Sequence, residues 1–156
     1  MNILLIGATG TGKTWVMKQL ITDQFSEFRA GLVRGVENKR GLFLGVYDGS
    51  IFEGSDRLSM SVAKDFDLLR VMVEAVGCDM IAEGDRFMNK KFIEMFSPTV
   101  IKIKGDGSVG RAKRGSEQTT RQIKSIQTRV NNIKADIEVL NSDEALRIIK
   151  KLLDKQ

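Results

Sequence analysis

Residues 7–14 read Gly7-Ala8-Thr9-Gly10-Thr11-Gly12-Lys13-Thr14, an unbroken match to G-x-x-x-x-G-K-[ST]. An apolar run over residues 2–6 precedes it, and a helical pattern follows from Lys13 to about Thr22. Strand, glycine loop and helix in that order are the context in which this motif binds phosphate. Glycine lets the backbone curl so that successive N–H groups face one centre, and the helix N-terminus adds its positive end. Lys13 supplies a cation for β- and γ-phosphates, and the Thr14 hydroxyl can ligate Mg²⁺. The expected ATP-binding set is therefore Gly7, Ala8, Thr9, Gly10, Thr11, Gly12, Lys13 and Thr14, with Trp15 beside it. The spacing is not the G-x-G-x-x-G of a dinucleotide fold. A glycine-rich turn that matches by chance is the bland alternative, and the flanking strand and helix weigh against it.

Outward from this loop, short apolar runs alternate with amphipathic stretches. Strands are expected over residues 30–34, 41–47, 79–83, 99–103 and 136–140, and helices over 59–76, 86–96 and 116–133. Val62, Phe66, Leu69, Val73 and Val76 fall on one helical face, with Gly77 placed as a C-terminal cap. Asn141 is expected to cap a last helix, with Glu144 completing a capping box. The pattern predicts an α/β three-layer sandwich with a mostly parallel five-stranded sheet, a P-loop NTPase or kinase fold in a single domain over 1–156. The functional edge is expected at the C-terminal strand ends.

Composition narrows the chemistry. The 156 residues include no histidine and one cysteine, Cys78. Histidine general bases, Ser-His-Asp or Cys-His hydrolysis, His-ligated metals and internal disulfides are excluded. No apolar run approaches a membrane span, and the N-terminal stretch reads as a strand, not a signal peptide. A cytoplasmic protein without a membrane partner is expected.

A P-loop specifies nucleotide but not reaction. Met80-Ile81-Ala82-Glu83 is an apolar strand ending in an acid, so Glu83 is expected to help Thr14 hold Mg²⁺; a solvated strand-end carboxylate is the alternative. An alcohol acceptor needs a carboxylate near its hydroxyl. Asp56 is the leading candidate, with Asp48 next. A helix-capping role for Asp56 and a turn role for Asp48 compete with this. Arg57, Asp85 and Arg86 are placed with Asp48 as candidate substrate-binding residues.

Charge is concentrated. Net charge is +5, yet residues 98–135 carry nine Lys or Arg against two acids, so this segment holds +7 and the remainder −2. Arg111, Arg114 and Arg121 could belong to a basic, glycine-punctuated lid at about 104–122 that stabilises the transferring phosphoryl group. The face could instead track a nucleic-acid backbone, or simply be solvated. No N-K-x-D element of a guanine-specific GTPase is found. A small-molecule kinase acting on a nucleotide, nucleoside or other alcohol, and a non-catalytic nucleotide-binding module, are the alternative functions.

GATGTGKT (7–14), EGSDRLS (53–59), IAEGDRF (81–87) and RAKRGSEQTTRQIKS (111–125) together make the chain resemble the small P-loop kinases of bacteriophages. More narrowly it resembles the 5-hydroxymethyluracil DNA kinases of thymine hypermodification. The resemblance spans essentially the whole chain and implies transfer of phosphoryl from ATP, with Mg²⁺, to the 5-hydroxymethyl group of a base already in DNA. It implies Lys13 and Thr14 at ATP·Mg²⁺, Asp56 as base, the 111–121 arginines as lid, and a host-cytoplasmic location.

Overall fold

A computed structural model describes residues 1–21, 24–105, 107–114 and 119–154, and no side-chain placement for 109, 113 and 114. The element order is β1 (Asn2–Gly7), α1 (Lys13–Leu20), β2 (Ser26–Ala30), β3 (Val33–Asn38), β4 (Gly41–Leu44), α2 (Phe66–Val76), β5 (Met80–Glu83), α3 (Lys90–Phe96), β6 (Thr99–Ile103), α4 (Ser108–Arg114), α5 (Thr120–Asn132), β7 (Ile137–Val139) and α6 (Ser142–Asp154). Short 3₁₀ turns cover Ser55–Arg57, Val62–Asp65 and Asp85–Phe87.

The strands form one sheet in the order β2-β3-β4-β5-β1-β6-β7. The expected five strands are corrected to seven. The run from β4 to β7 pairs in parallel, and β2 and β3 extend it antiparallel as a hairpin. The strand expected at 30–34 is instead the hairpin's turning point. Gly31 there has φ 60°, and the next N–H, of Leu32, donates to Asp65 Oδ2 at 2.7 Å. β2 escaped the sequence reading because Ser-Glu-Phe-Arg-Ala carries the half-exposed pattern of an edge strand and no apolar run.

Alternation along β1 sends side chains to both faces of the sheet. Leu4 and Ile6 join a core with Phe66, Leu69, Val73, Phe87, Phe92 and Phe96, whereas Ile3 and Leu5 pack with Val16, Met17, Leu20, Ala145, Ile149 and Leu153. Helices thus cover both faces, α2, α3 and α5 on one and α1 and α6 on the other. Phe66 stacks on Phe87 at 6.0 Å and meets Phe92 edge-on at 5.4 Å, which fixes the 3₁₀ turn at Asp85–Phe87 to the core.

Several helix limits shift. The helix expected over 59–76 breaks into a 3₁₀ turn and α2, and Val76 is exposed because the helix stops there, with Gly77 left-handed at φ 72°. The helix expected over 86–96 begins only after Asn89, whose side chain accepts the Phe92 N–H at 2.8 Å. Of the helix expected over 116–133, residues 116–118 lie outside the described residues, and the rest is α5, capped by a reciprocal Thr119–Gln122 box. At α6, Asn141 accepts the Glu144 N–H at 2.9 Å, while the Glu144 carboxylate reaches back to the Leu140 N–H. Among the described residues no helix is long and apolar enough to cross a membrane.

Candidate functional site

β1 and β5 end side by side, with Leu5 in register with Glu83. The Gly7–Thr14 loop leaves β1 here, and Gly10 and Gly12 adopt φ 91° and 93°, open only to glycine at little cost. Gly12 precedes α1 without any side-chain cap, so the first N–H groups of the helix have no capping oxygen from that residue. Lys13 folds back over the loop and donates to Gly7 O at 2.9 Å and Ala8 O at 3.0 Å.

Glu83 is the buried charge of the site, 3% exposed. Its Oε1 accepts the Ser55 N–H at 3.1 Å and the Thr14 hydroxyl at 3.4 Å. Burial pushes its carboxyl above the ordinary value; nearby Lys13 opposes that, Asp56 reinforces it and the Ser55 N–H offsets part of it. Ser55 Oγ is itself buried with no hydrogen-bond partner among the described residues. Among those residues no cluster of three or more His, Cys, Asp or Glu is arranged around a metal position. The donor set suits Mg²⁺ bound through one carboxylate, one hydroxyl and ligand oxygens, the usual economy of protein ligands for that ion.

The chain returns to this point through a closed loop. Val46 and Gly54 exchange backbone hydrogen bonds of 3.1 and 2.8 Å, which ties off residues 47–53. Gly54 has φ 107°, and a Cβ there would stand 2.8 Å from both Thr14 Oγ1 and Glu83 Oε1. The buried Tyr47 hydroxyl donates to Leu44 O at 3.3 Å, and burial, then Glu83, Glu53 and Asp56, raise its pKa well above the usual range.

The sequence candidates separate into two groups. Lys13, Thr14, Asp56, Glu83 and Asp85 wall one cleft with Gly7, Thr9, Gly10 and Gly12. The Asp56 carboxylate is exposed, caps no helix, and makes no hydrogen bond or ion pair with the described residues. Asp48, by contrast, is taken by Arg57 at 2.6 Å. Hydrogen bonds from Ser50 and then Arg57 hold its carboxyl well below the usual carboxylate range. Arg57 is thereby engaged in its own loop. Arg86 serves the scaffold: Nε donates to Leu58 O at 3.1 Å, Nη2 to Asp56 O at 3.3 Å, and Nη1 pairs with Asp85 at 3.3 Å. Asp85 also meets Arg129 of α5.

Two participants lay outside the sequence reading. Arg129 sits 44 positions from its partner Asp85, and no spacing rule connects them. Glu53 pairs with Lys18 of α1 at 2.7 Å and accepts the Gly49 N–H at 2.8 Å. Burial works against its charge, but Lys18 and Gly49 outweigh it and hold the carboxyl below its usual value.

α4 covers the loop. Arg111 Nη1 donates to Thr9 O at 2.9 Å, and Gly107 and Gly110 lie backbone to backbone against Thr9 and Gly10. The space left beside Lys13 is about 30 Å³, room for a water or two. Arg121 lies on the exposed face of α5. The Arg114 side chain lies outside the described placements, as do residues 106 and 115–118 of the expected lid. Trp15 is 41% exposed at the mouth of a neighbouring cleft.

No family model matches the chain, and no solved structure matches it. The chain is similar to Protein Ycf2 of Spinacia oleracea, 29% identical over 106 residues that make up 65% of this chain. It spans only 5% of that protein's length.

Proposed function

We propose that this chain is a P-loop kinase, transferring the γ-phosphoryl group of ATP to a hydroxyl acceptor. The acceptor proposed is the 5-hydroxymethyl group of 5-hydroxymethyluracil in DNA. The observation that carries the reading is the convergence of Lys13, Thr14, Asp56 and Glu83 on one cleft at the C-terminal strand edge. A cation, a hydroxyl–carboxylate pair and an uncommitted carboxylate are the parts phosphoryl transfer to an alcohol requires. Mg²⁺, held through Thr14 and Glu83, would neutralise charge developing on the phosphates.

Lys13 exchanges the Gly7 and Ala8 carbonyls for phosphate oxygens. Asp56 accepts the proton of the acceptor hydroxyl as its oxygen bonds to phosphorus; the bond to the bridging oxygen breaks and ADP departs. Arg86 steadies this base by holding the carbonyls of Asp56 and Leu58. The DNA acceptor is favoured by α5, whose thirteen residues Thr120–Asn132 contain no acid and present Arg121 and Lys124 outward. Neither makes an ion pair among the described residues, and such a face suits a phosphate backbone.

The test is transfer of labelled phosphate from ATP with Mg²⁺ to a duplex containing 5-hydroxymethyluracil, compared with the free nucleoside. Label on the DNA, falling as salt rises, is expected. Label on the nucleoside alone would replace the DNA acceptor with a small molecule, and nucleotide binding without transfer to any acceptor would remove the kinase reading. Lys13→Ala should lose transfer in either kinase case.

A further inference from the structure

Beside the glycine loop a second, larger cleft of about 840 Å³ opens between α1 and the 47–53 loop. It shares Gly10, Gly12, Thr14 and Asp56 with the cleft around Lys13, so the two are contiguous. Its walls carry Trp15, Ile51 and Phe52, which are 41%, 90% and 62% exposed. Large apolar side chains left in water together mark a surface that a ligand covers. The ion pair of Lys18 with Glu53 ties the residue after Phe52 to the helix that carries Trp15, so the aromatic walls are joined.

We propose that this cleft is a stacking site for the nucleobase of the donor nucleotide, and that it accepts adenine and guanine with little distinction. The proposal rests on the phosphotransferase reading and adds to it a donor preference. A base bonded through ribose to phosphates on the Gly7–Thr14 loop emerges beside Trp15, the residue that follows the loop. Aromatic faces hold any purine, because every base offers a π-face. Strong discrimination needs buried polar groups that the wrong base would leave unpaired. Here Lys18 and Glu53 already satisfy each other, Gln19, Asp56 and Asp143 are exposed, and the Ser142 and Thr14 hydroxyls are only half-buried, so beyond that ion pair no fully buried polar side chain lines the cleft. Hydrogen bonds from the exposed groups to a base replace bonds to water and separate the purines weakly.

Trp15 is the only tryptophan, so its emission reports this cleft alone. The experiment titrates the full chain with Mg·ADP, Mg·GDP and Mg·tripolyphosphate, following Trp15 emission and, in parallel, calorimetric affinity. ADP and GDP should both change the emission, with affinities within about tenfold of each other, whereas tripolyphosphate should bind and leave Trp15 unchanged. Phe52→Ala should weaken ADP by about 5- to 100-fold and leave tripolyphosphate as before. Because Phe52 is mostly exposed, the variant should keep its fold, checked by an unchanged thermal midpoint.

A difference between ADP and GDP affinities above about tenfold would overturn the tolerance. Equal emission changes from tripolyphosphate and ADP would overturn the site. So would competition with ADP by a thymidine oligonucleotide that alone shifts Trp15, since the cleft would then belong to the acceptor. In these cases the kinase reading survives; loss of ADP and tripolyphosphate binding alike would remove both.

Discussion

The Thr14 hydroxyl donates to Glu83 Oε1 across 3.4 Å, and Gly54 backs onto this pair with bare backbone. Under the kinase reading both oxygens turn to the magnesium ion. Gly54→Ala would put a methyl 2.8 Å from each, at a φ of 107° that an L-residue rarely adopts. We expect phosphoryl transfer to fall at least tenfold, with partial recovery at high Mg²⁺. A magnesium titration of the initial rate checks this, and an unchanged profile would contradict the placement.

Glu83 makes the protein sensitive to pH. Folding removes its carboxylate from water, so the folded form keeps the proton to higher pH than the unfolded chain. Stability therefore falls as pH rises from the ordinary value of 4.5 through the raised one. Glu83→Gln abolishes that dependence. Its thermal midpoint should exceed the parent's at neutral pH and converge with it below about pH 4, while magnesium-dependent transfer is lost. A parent more stable than the variant at pH 7 would reverse the argument.

Asp56→Asn tests the base without touching the loop. Transfer should drop by about 10²- to 10⁴-fold while ATP affinity stays within about threefold. Single-turnover rates and nucleotide binding, measured together, distinguish this outcome from general damage. Retained activity would pass the role to another carboxylate.

Arg129→Met tests the link between α5 and the site. Asp85 is 16% exposed and shared by Arg129 and Arg86. Arg129 is itself 44% exposed, so losing this partner should cost about 0.5–1 kcal/mol of stability. Because Arg86 also holds the carbonyls under Asp56, kcat should fall more than the KM for ATP rises. Lys at 129 should restore part of both. A loss of stability with unchanged kcat would confine Arg129 to the scaffold.

The glycine loop, the parallel strands and the acid closing β5 were legible because each is a local pattern: a motif, an apolar run, a run that ends in charge. The antiparallel β2 was not, since an edge strand needs only one buried side and its sequence alternates weakly. Asp85 and Arg86 read as candidate substrate ligands because proximity in sequence to Glu83 is visible, whereas the carbonyls and the Arg129 guanidinium that occupy them come from elsewhere in the chain. Glu53 was hidden for the same reason: its partner Lys18 lies on the helix behind the loop. Gly54 carries no local signal in the sequence; only the fold sets it against two oxygens.

The contact of α4 with the glycine loop has one more consequence. Gly107, just before α4, and Gly110 within it lie against the loop backbone, and Arg111 donates to the Thr9 carbonyl. Lys13 spends its charge on carbonyls of the same loop. Under the kinase reading, these carbonyl oxygens stand where phosphate oxygens would bind, and the cations that would meet them are already gathered on the loop. Binding becomes an exchange of oxygens, so its enthalpy should be smaller than the number of new contacts suggests.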